Sequence, residues 1–210
     1  MALLGIDVGT GGSRAILINE QGKVLASATE NHEPFASPKT GWAEQAPEDW
    51  WRASQIAIRS VLKQGALDPD TVTGIGLSGQ MHGAVLLDAS GSVVRPAIIW
   101  CDQRTQTQCQ WLTDTIGTAR LIELTSNPAL TGFTLPKLLW VREHEPNKWT
   151  QVKRVLLPKD YIRLRLTGAY ATDVADASGT LLFDVANRRW SPEILDATDL
   201  SLDHLPSVFE

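Results

Sequence analysis

Two short stretches carry residue types suited to phosphate and hydroxyl chemistry. In "GIDVGTGGSRAILIN" a single carboxylate, Asp7, interrupts an apolar run and is followed by Gly9, Thr10, Gly11 and Gly12. Glycines let backbone N–H groups approach an anion with no Cβ in the way. In "GLSGQMHGAV" Gly79 and Gly83 bracket Gln80, Met81 and His82, so these side chains can be held at a strand end beside a ligand. An imidazole donates to or accepts from a hydroxyl, and a thioether gives an adaptable apolar contact. Both stretches also have ordinary readings: Asp7 as a turn cap beside glycines, and His82 as a solvated or satisfied loop histidine.

The pattern of the first loop excludes two familiar phosphate binders. Where a Walker loop starting at Gly5 needs Gly-Lys-Ser or Gly-Lys-Thr, the chain has Thr10-Gly11-Gly12. A dinucleotide fingerprint starting at Gly9 meets Arg14 where a third small residue belongs, and it requires a helix next. Instead, an apolar run over Ala15 to Ile18 ends at the polar turn Asn19-Glu20-Gln21-Gly22, and a second run starts at Val24. This reads as strand, turn, strand. The loop is therefore the tip of a β-hairpin that starts with a strand over Leu3 to Val8.

Further elements must position the second loop. Pro47 with Glu48 and Asp49 marks a helix start, apolar residues from Trp50 to Leu62 recur at helical spacing, and Gly65 marks the stop. Trp50 and Trp51 fall in that stripe and read as core anchors. Val72 to Ser78 reads as a strand, Gly79 to Gly83 as a loop, and Ala84 to Leu87 as another strand, with a turn at Asp88-Ala89-Ser90-Gly91. Ala97 to Trp100 forms the next strand. The stretch "GFTLPKLLWVREHEP" reads as a helix with Leu138, Trp140 and Val141 turned inward and Arg142, Glu143 and His144 facing water. Asp173 and Asp176 read as turn and cap residues.

With 43% hydrophobic and 20% charged residues over 210 positions, the chain can fill one core. A net charge of -5 supplies no basic field for nucleic acid. No stretch approaches the ~20 apolar residues of a membrane span, and cytoplasm is the expected location. The two cysteines, Cys101 and Cys109, are expected as reduced thiols.

Taken together, these stretches resemble one family. "GIDVGTGGSRAILIN" is similar to the first phosphate loop of the superfamily of actin, heat-shock chaperones and sugar kinases. The string Trp42, Glu44-Gln45, Pro47, Trp50-Trp51 resembles a segment of the FGGY carbohydrate kinases, and "GFTLPKLLWVREHEP" resembles a signature of that family. "GQMHG" resembles the sugar-contacting loop of its xylulokinase branch, whereas glycerol kinases carry an Arg-Glu pair there. "LLPKDYIRLRLTG" and "TDVADASGTLLFD" are also similar to segments of that branch, the second supplying Ala177, Ser178 and Gly179 for close packing near the cleft. Trp100, Asp102 and Arg104 match the family's Trp-x-Asp-x-Arg pattern, for which two readings stand: they bound the sugar pocket, or Asp102 caps the following helix with Arg104 paired on its surface.

The resemblance implies an α/β, ribonuclease-H-like (actin-like ATPase) domain with a mixed five-stranded sheet flanked by helices, its first three strands antiparallel. Residues 1–210 correspond to the N-terminal, sugar-binding domain, and a C-terminal domain outside them brings most of the nucleotide pocket and the catalytic base. It implies ATP and Mg2+ as cofactors, phosphorylation of D-xylulose as the reaction, and a possible homodimer. Asp7 would act on magnesium through water. Gly9, Thr10, Gly11, Gly12 and Arg14 would face the ATP phosphates, and Met81, His82, Gln80 and Asp102 would face the sugar. Other FGGY substrates (ribulose, gluconate, a deoxy sugar), or a non-catalytic actin-like module, are the alternatives. The isolated chain is expected to bind sugar weakly and turn over little.

Overall fold

The alternation of buried and open residues shapes the first strands. A computed structural model describes residues 1–210. Strand β1, Ala2–Val8, buries Ala2, Leu4, Ile6 and Val8 and leaves Leu3 and Asp7 exposed. Strand β2, Gly12–Asn19, buries Ser13, Ala15 and Leu17 on the same side, and β3, Val24–Asn31, continues the antiparallel meander. Asp7 stands in an apolar run because period two places it on the open face, between neighbours that face the core.

After β4, Glu44–Gln45, helix α1, Pro47–Gln64, begins at its proline with Glu48 and Asp49 in the first turn. It lays Trp50, Ala57 and Val61 on the inner face of the sheet. Strand β5, Val72–Gly79, then returns parallel to β1 and gives the order β3-β2-β1-β5. Because β1 and β5 are parallel, the loops that follow both strands emerge at the same edge, where open α/β sheets place their ligands.

Short elements build the second half: β6, Val85–Leu87; β7, Ala97–Ile98; α2, Gln106–Ile116; α3, Thr118–Thr125; α4, Thr134–His144; and α5, Pro146–Trp149. They are followed by β8, Arg154–Leu156; α6, Pro158–Thr167; β9, Ala171–Asp173; α7, Val174–Ala177; β10, Phe183–Asp184; β11, Arg189–Trp190; α8, Pro192–Thr198; and β12, Ser207–Phe209. One apolar core lies between the sheet, α1 and α6, and a second gathers α2, α3, α4 and α8. Strand β6 divides them, with Val85 and Leu87 in the first core and Leu86 in the second.

The fold class agrees with the sequence, but the principal sheet has four strands where five were expected. Strand β6 does not extend it. Its side chains are all fully buried between the two cores, and it pairs antiparallel with β8 instead. The strand read over Ala97 to Trp100 is shorter, ending at Ile98. No helix is long and apolar enough to cross a membrane, and both cysteines are free thiols.

Candidate functional site

The hairpin tip between β1 and β2 closes through the Gly9 N–H on the Gly12 carbonyl, 3.0 Å. The N–H groups of Thr10 and Gly11 have no partner in the protein, so two donors stand free for an anion. Four side chains hold the tip from behind. Gln45 Nε2 donates to the Thr10 carbonyl at 2.8 Å, and His32 Nδ1 lies 3.4 Å from the same oxygen. Trp100 Nε1 donates to Thr10 Oγ1 at 2.9 Å, and that hydroxyl in turn reaches Gln80 Oε1 at 3.4 Å.

Gln80 belongs to the second loop, so the same contacts tie the two loops together. Its backbone N–H donates to the Val8 carbonyl at 2.8 Å, and its Nε2 donates to Gln45 Oε1 at 3.0 Å. Gln45 Oε1 also accepts from Trp50 Nε1 at 3.1 Å. Gln80 is buried, with its amide spent on this network. Of the three bracketed residues, Met81 is the open one, 53% exposed.

His82 sits at the centre of a tight turn. Its φ is +63°, in the left-handed region, and the Gly83 N–H closes back on the Met81 carbonyl at 2.8 Å, a strained arrangement for a residue with a Cβ. The turn is followed by a glycine because a Cβ at position 83 would lie 2.7 Å from Pro158 Cγ. The His82 ring rests edge-on against Phe133, and its Nδ1 lies 2.6 Å from the Gly179 carbonyl. A carbonyl only accepts, so Nδ1 carries the proton and the neutral ring presents Nε2 as an acceptor. Burial is the main cause that pushes the His82 pKa below its ordinary value, helped by Lys137. The Gly179 bond and Asp176 oppose it.

Asp7 lies on the open face of the sheet, in a groove of about 340 Å³ with Arg14, Ser78 and Gly76. Arg14 is its cross-strand neighbour, but its Nε is turned to Ser27 Oγ on β3, 3.1 Å. No three metal-ligating side chains gather anywhere in the chain. A lone carboxylate fits an ion that keeps its own waters, as Mg2+ does, better than a cage built entirely from protein groups, and the free N–H donors of the hairpin suit the anion that such an ion would accompany. The groove at Asp7 is not lined by His82. The hairpin tip and the Gln80 loop are brought together directly, whereas Asp7 and His82 are neighbours only through the edge that their strands share.

Asp102 is placed elsewhere. It is fully buried, accepts from the Ala43 N–H at 2.6 Å and from the Arg104 N–H at 2.9 Å, and pairs with the Arg104 guanidinium. Arg104 lies over the Trp42 ring at 3.8 Å and over Trp140 at 4.8 Å, and it reaches Glu44 at 2.7 Å. Both carboxylate oxygens of Asp102 are therefore occupied within the protein. The capping alternative is corrected as well, since α2 begins after Thr105. Of Trp100, Asp102 and Arg104, only Trp100 keeps a substantial exposed surface, 46%.

Comparison with known proteins fits this arrangement. Residues 2–210 match the model for the FGGY family of carbohydrate kinases, N-terminal domain. The chain belongs to the FGGY family. It is 50% identical over 207 residues to a xylulose kinase of Klebsiella pneumoniae, a match spanning 99% of this chain and 42% of that protein. The crystal structure of a "xyloylose kinase" from Brucella ovis superposes with a TM-score of 0.95 at 40% identity, covering 100% of this chain and 43% of that one. A gluconate kinase structure from Lactobacillus acidophilus superposes at 0.92 with 26% identity, over 100% of this chain and 42% of that one. The chain thus spans less than half the length of these relatives.

Gln45, His32 and Lys137 carry little local signal of their roles. Gln45 and Lys137 lie inside quoted motifs, but a glutamine before a helix and a lysine within one read by default as solvated.

Proposed function

We propose that the parent protein transfers the terminal phosphoryl group of ATP to the terminal hydroxyl of D-xylulose, giving D-xylulose 5-phosphate and ADP, and that residues 1–210 form its sugar-binding half. The observation that carries this reading is the Thr10–Gln45–Gln80 network. Phosphoryl transfer is mainly a matter of positioning and charge stabilisation, and this network makes one rigid unit of an anion-ready hairpin and a loop bearing a hydroxyl-recognising histidine. The identity with xylulose kinases supports D-xylulose within that class.

In this reading His82 Nε2 accepts a sugar hydroxyl proton in a hydrogen bond, Met81 covers a carbon edge, and the Trp100 indole, pinned through Thr10, walls the pocket. The Thr10 and Gly11 N–H groups receive phosphate oxygens. Asp7 orients the water shell of Mg2+, which supplies neutralisation of the charge on the phosphates when bound. The base for the hydroxyl proton and most of the nucleotide pocket belong to a C-terminal domain outside residues 1–210, so the isolated chain turns over little or nothing.

An ADP-release assay on the full-length parent, run over D-xylulose, ribulose, gluconate and glycerol, tests the assignment. D-xylulose is expected to give the highest kcat/KM. Preference for gluconate or ribulose would move the protein to another FGGY substrate, and no ADP release with any sugar would support a non-catalytic module.

A further inference from the structure

Lys137 is a fully buried lysine with no carboxylate within ion-pair distance. It lies in the first turn of α4, and its Nζ donates to the carbonyl of His82 at 2.9 Å and to the carbonyl of Gly132. Thr134 Oγ1, from the same turn, donates to the His82 carbonyl as well, 3.2 Å. A strained turn persists only where its surroundings over-determine it. Here one carbonyl of the His82 turn is held by two side chains of α4, while the ring is held on its other side by Gly179.

We propose that Lys137 is the positioning residue of the sugar site: its amine, with the Thr134 hydroxyl, clamps the His82 carbonyl and so fixes the left-handed turn that presents His82 Nε2 to the substrate. This rests on the reading of His82 as a sugar ligand. A buried amine is costly, and an apolar residue would fill the same space in α4 with less penalty. Its position is therefore explained by the carbonyls it serves rather than by the stability of the helix. Burial lowers the Lys137 pKa to about 7, against the pull of Asp102. In either protonation state the amine keeps at least two N–H groups, enough for the two carbonyls that it meets.

The test is a double-mutant cycle in the full-length parent, with Lys137→Met, His82→Ala and the pair, read as KM for D-xylulose, KM for ATP and melting temperature. Lys137→Met keeps length and apolar bulk while deleting the donor. The expected result is a rise in sugar KM of about tenfold with ATP KM unchanged and no loss of melting temperature, and no further rise when it is added to His82→Ala. A folded Lys137→Met enzyme with unchanged sugar KM would overturn the proposal, as would an equal rise in the His82→Ala background. If His82→Ala alone leaves the sugar KM unchanged, it is the sugar-site reading that fails. Lys137→Gln, which keeps an N–H donor on a shorter stem, serves as the second variant, with a smaller rise expected. Failure of both variants to fold would overturn the proposal, since it requires α4 to form without the amine.

Discussion

Gly179→Ala is the perturbation whose consequence the structure defines most sharply. Position 179 does not have a left-handed backbone, so alanine is conformationally acceptable there, and the damage comes from contact alone. The new Cβ would lie 2.6 Å from His82 Cε1 and 2.8 Å from Nδ1, where ordinary contact begins at 3.4 Å. The ring must retreat by about 0.8 Å. The Nδ1–H bond to the Gly179 carbonyl, 2.6 Å, then stretches toward the limit of a useful hydrogen bond. A lost buried hydrogen bond and a forced core shift together cost roughly 1–3 kcal/mol of stability. A misplacement approaching 1 Å at a substrate contact costs up to ~100-fold. In the full-length parent, steady-state ADP release should show the KM for D-xylulose raised by about ten- to a hundredfold, with the KM for ATP changed less than about twofold. A folded variant with an unchanged sugar KM would refute the claim that Gly179 sets the ring of a sugar-binding histidine.

Three other outcomes follow from the same geometry. Asp7→Ala should lower kcat by about 100-fold or more while leaving the sugar KM within a few-fold, because its role is on the charge of the phosphates; equal loss in both, read by the same assay, would count against it. Gln45→Ala removes bonds to Thr10, Gln80 and Trp50, at about 1 kcal/mol each, and should raise the KM for ATP and for the sugar together while lowering the urea midpoint; a change in one KM alone would separate the two loops. His32, His82 and His204 are each pushed below the ordinary imidazole value of 6.5, mainly by burial. The unfolded chain therefore binds more protons as pH falls through 6.5, so stability is full above that value and declines below it, and the sugar KM should rise only at lower pH, as Nε2 of the folded enzyme gains a proton. A sugar KM that stays flat across the titration of the His82 ring itself, followed by NMR in the folded enzyme, would contradict the acceptor role of His82.

Local chemistry made much of this fold legible in the sequence. The period-two alternation of β1 and β2, the polar turn at Asn19 to Gly22, and Pro47 with its acidic first turn each act within a few residues, and all three appear where they were read. The glycines around Gln80, Met81 and His82 likewise announced a loop at a strand end. Contacts made across long separations were not legible. Strand β6 pairs with no strand of the principal sheet and finds β8 some seventy residues later. The ring of His82 is set by Gly179 and its carbonyl by Lys137; only the small size of Gly179 hinted at close packing. Helix α4 gave little periodic signal because Thr134 to Val141 are all buried, so a lysine within it could not be told from a solvated one. Asp102 carried a family pattern that fitted either a pocket or a cap. Its full burial against Ala43 and Arg104 depends on the loop before β4, which local spacing does not reveal.

The most direct test uses Mn2+·ATP as a paramagnetic probe of the full-length parent, with histidine rings labelled and His82 assigned from the His82→Ala spectrum. His32, within reach of the Thr10 carbonyl, serves as the internal reference for the hairpin. One cleft shared by nucleotide and sugar predicts that Mn2+·ATP broadens both His32 and His82 and that excess Mg2+ restores both. Broadening of His32 with His82 left sharp at saturating nucleotide would place the two loops on separate sites.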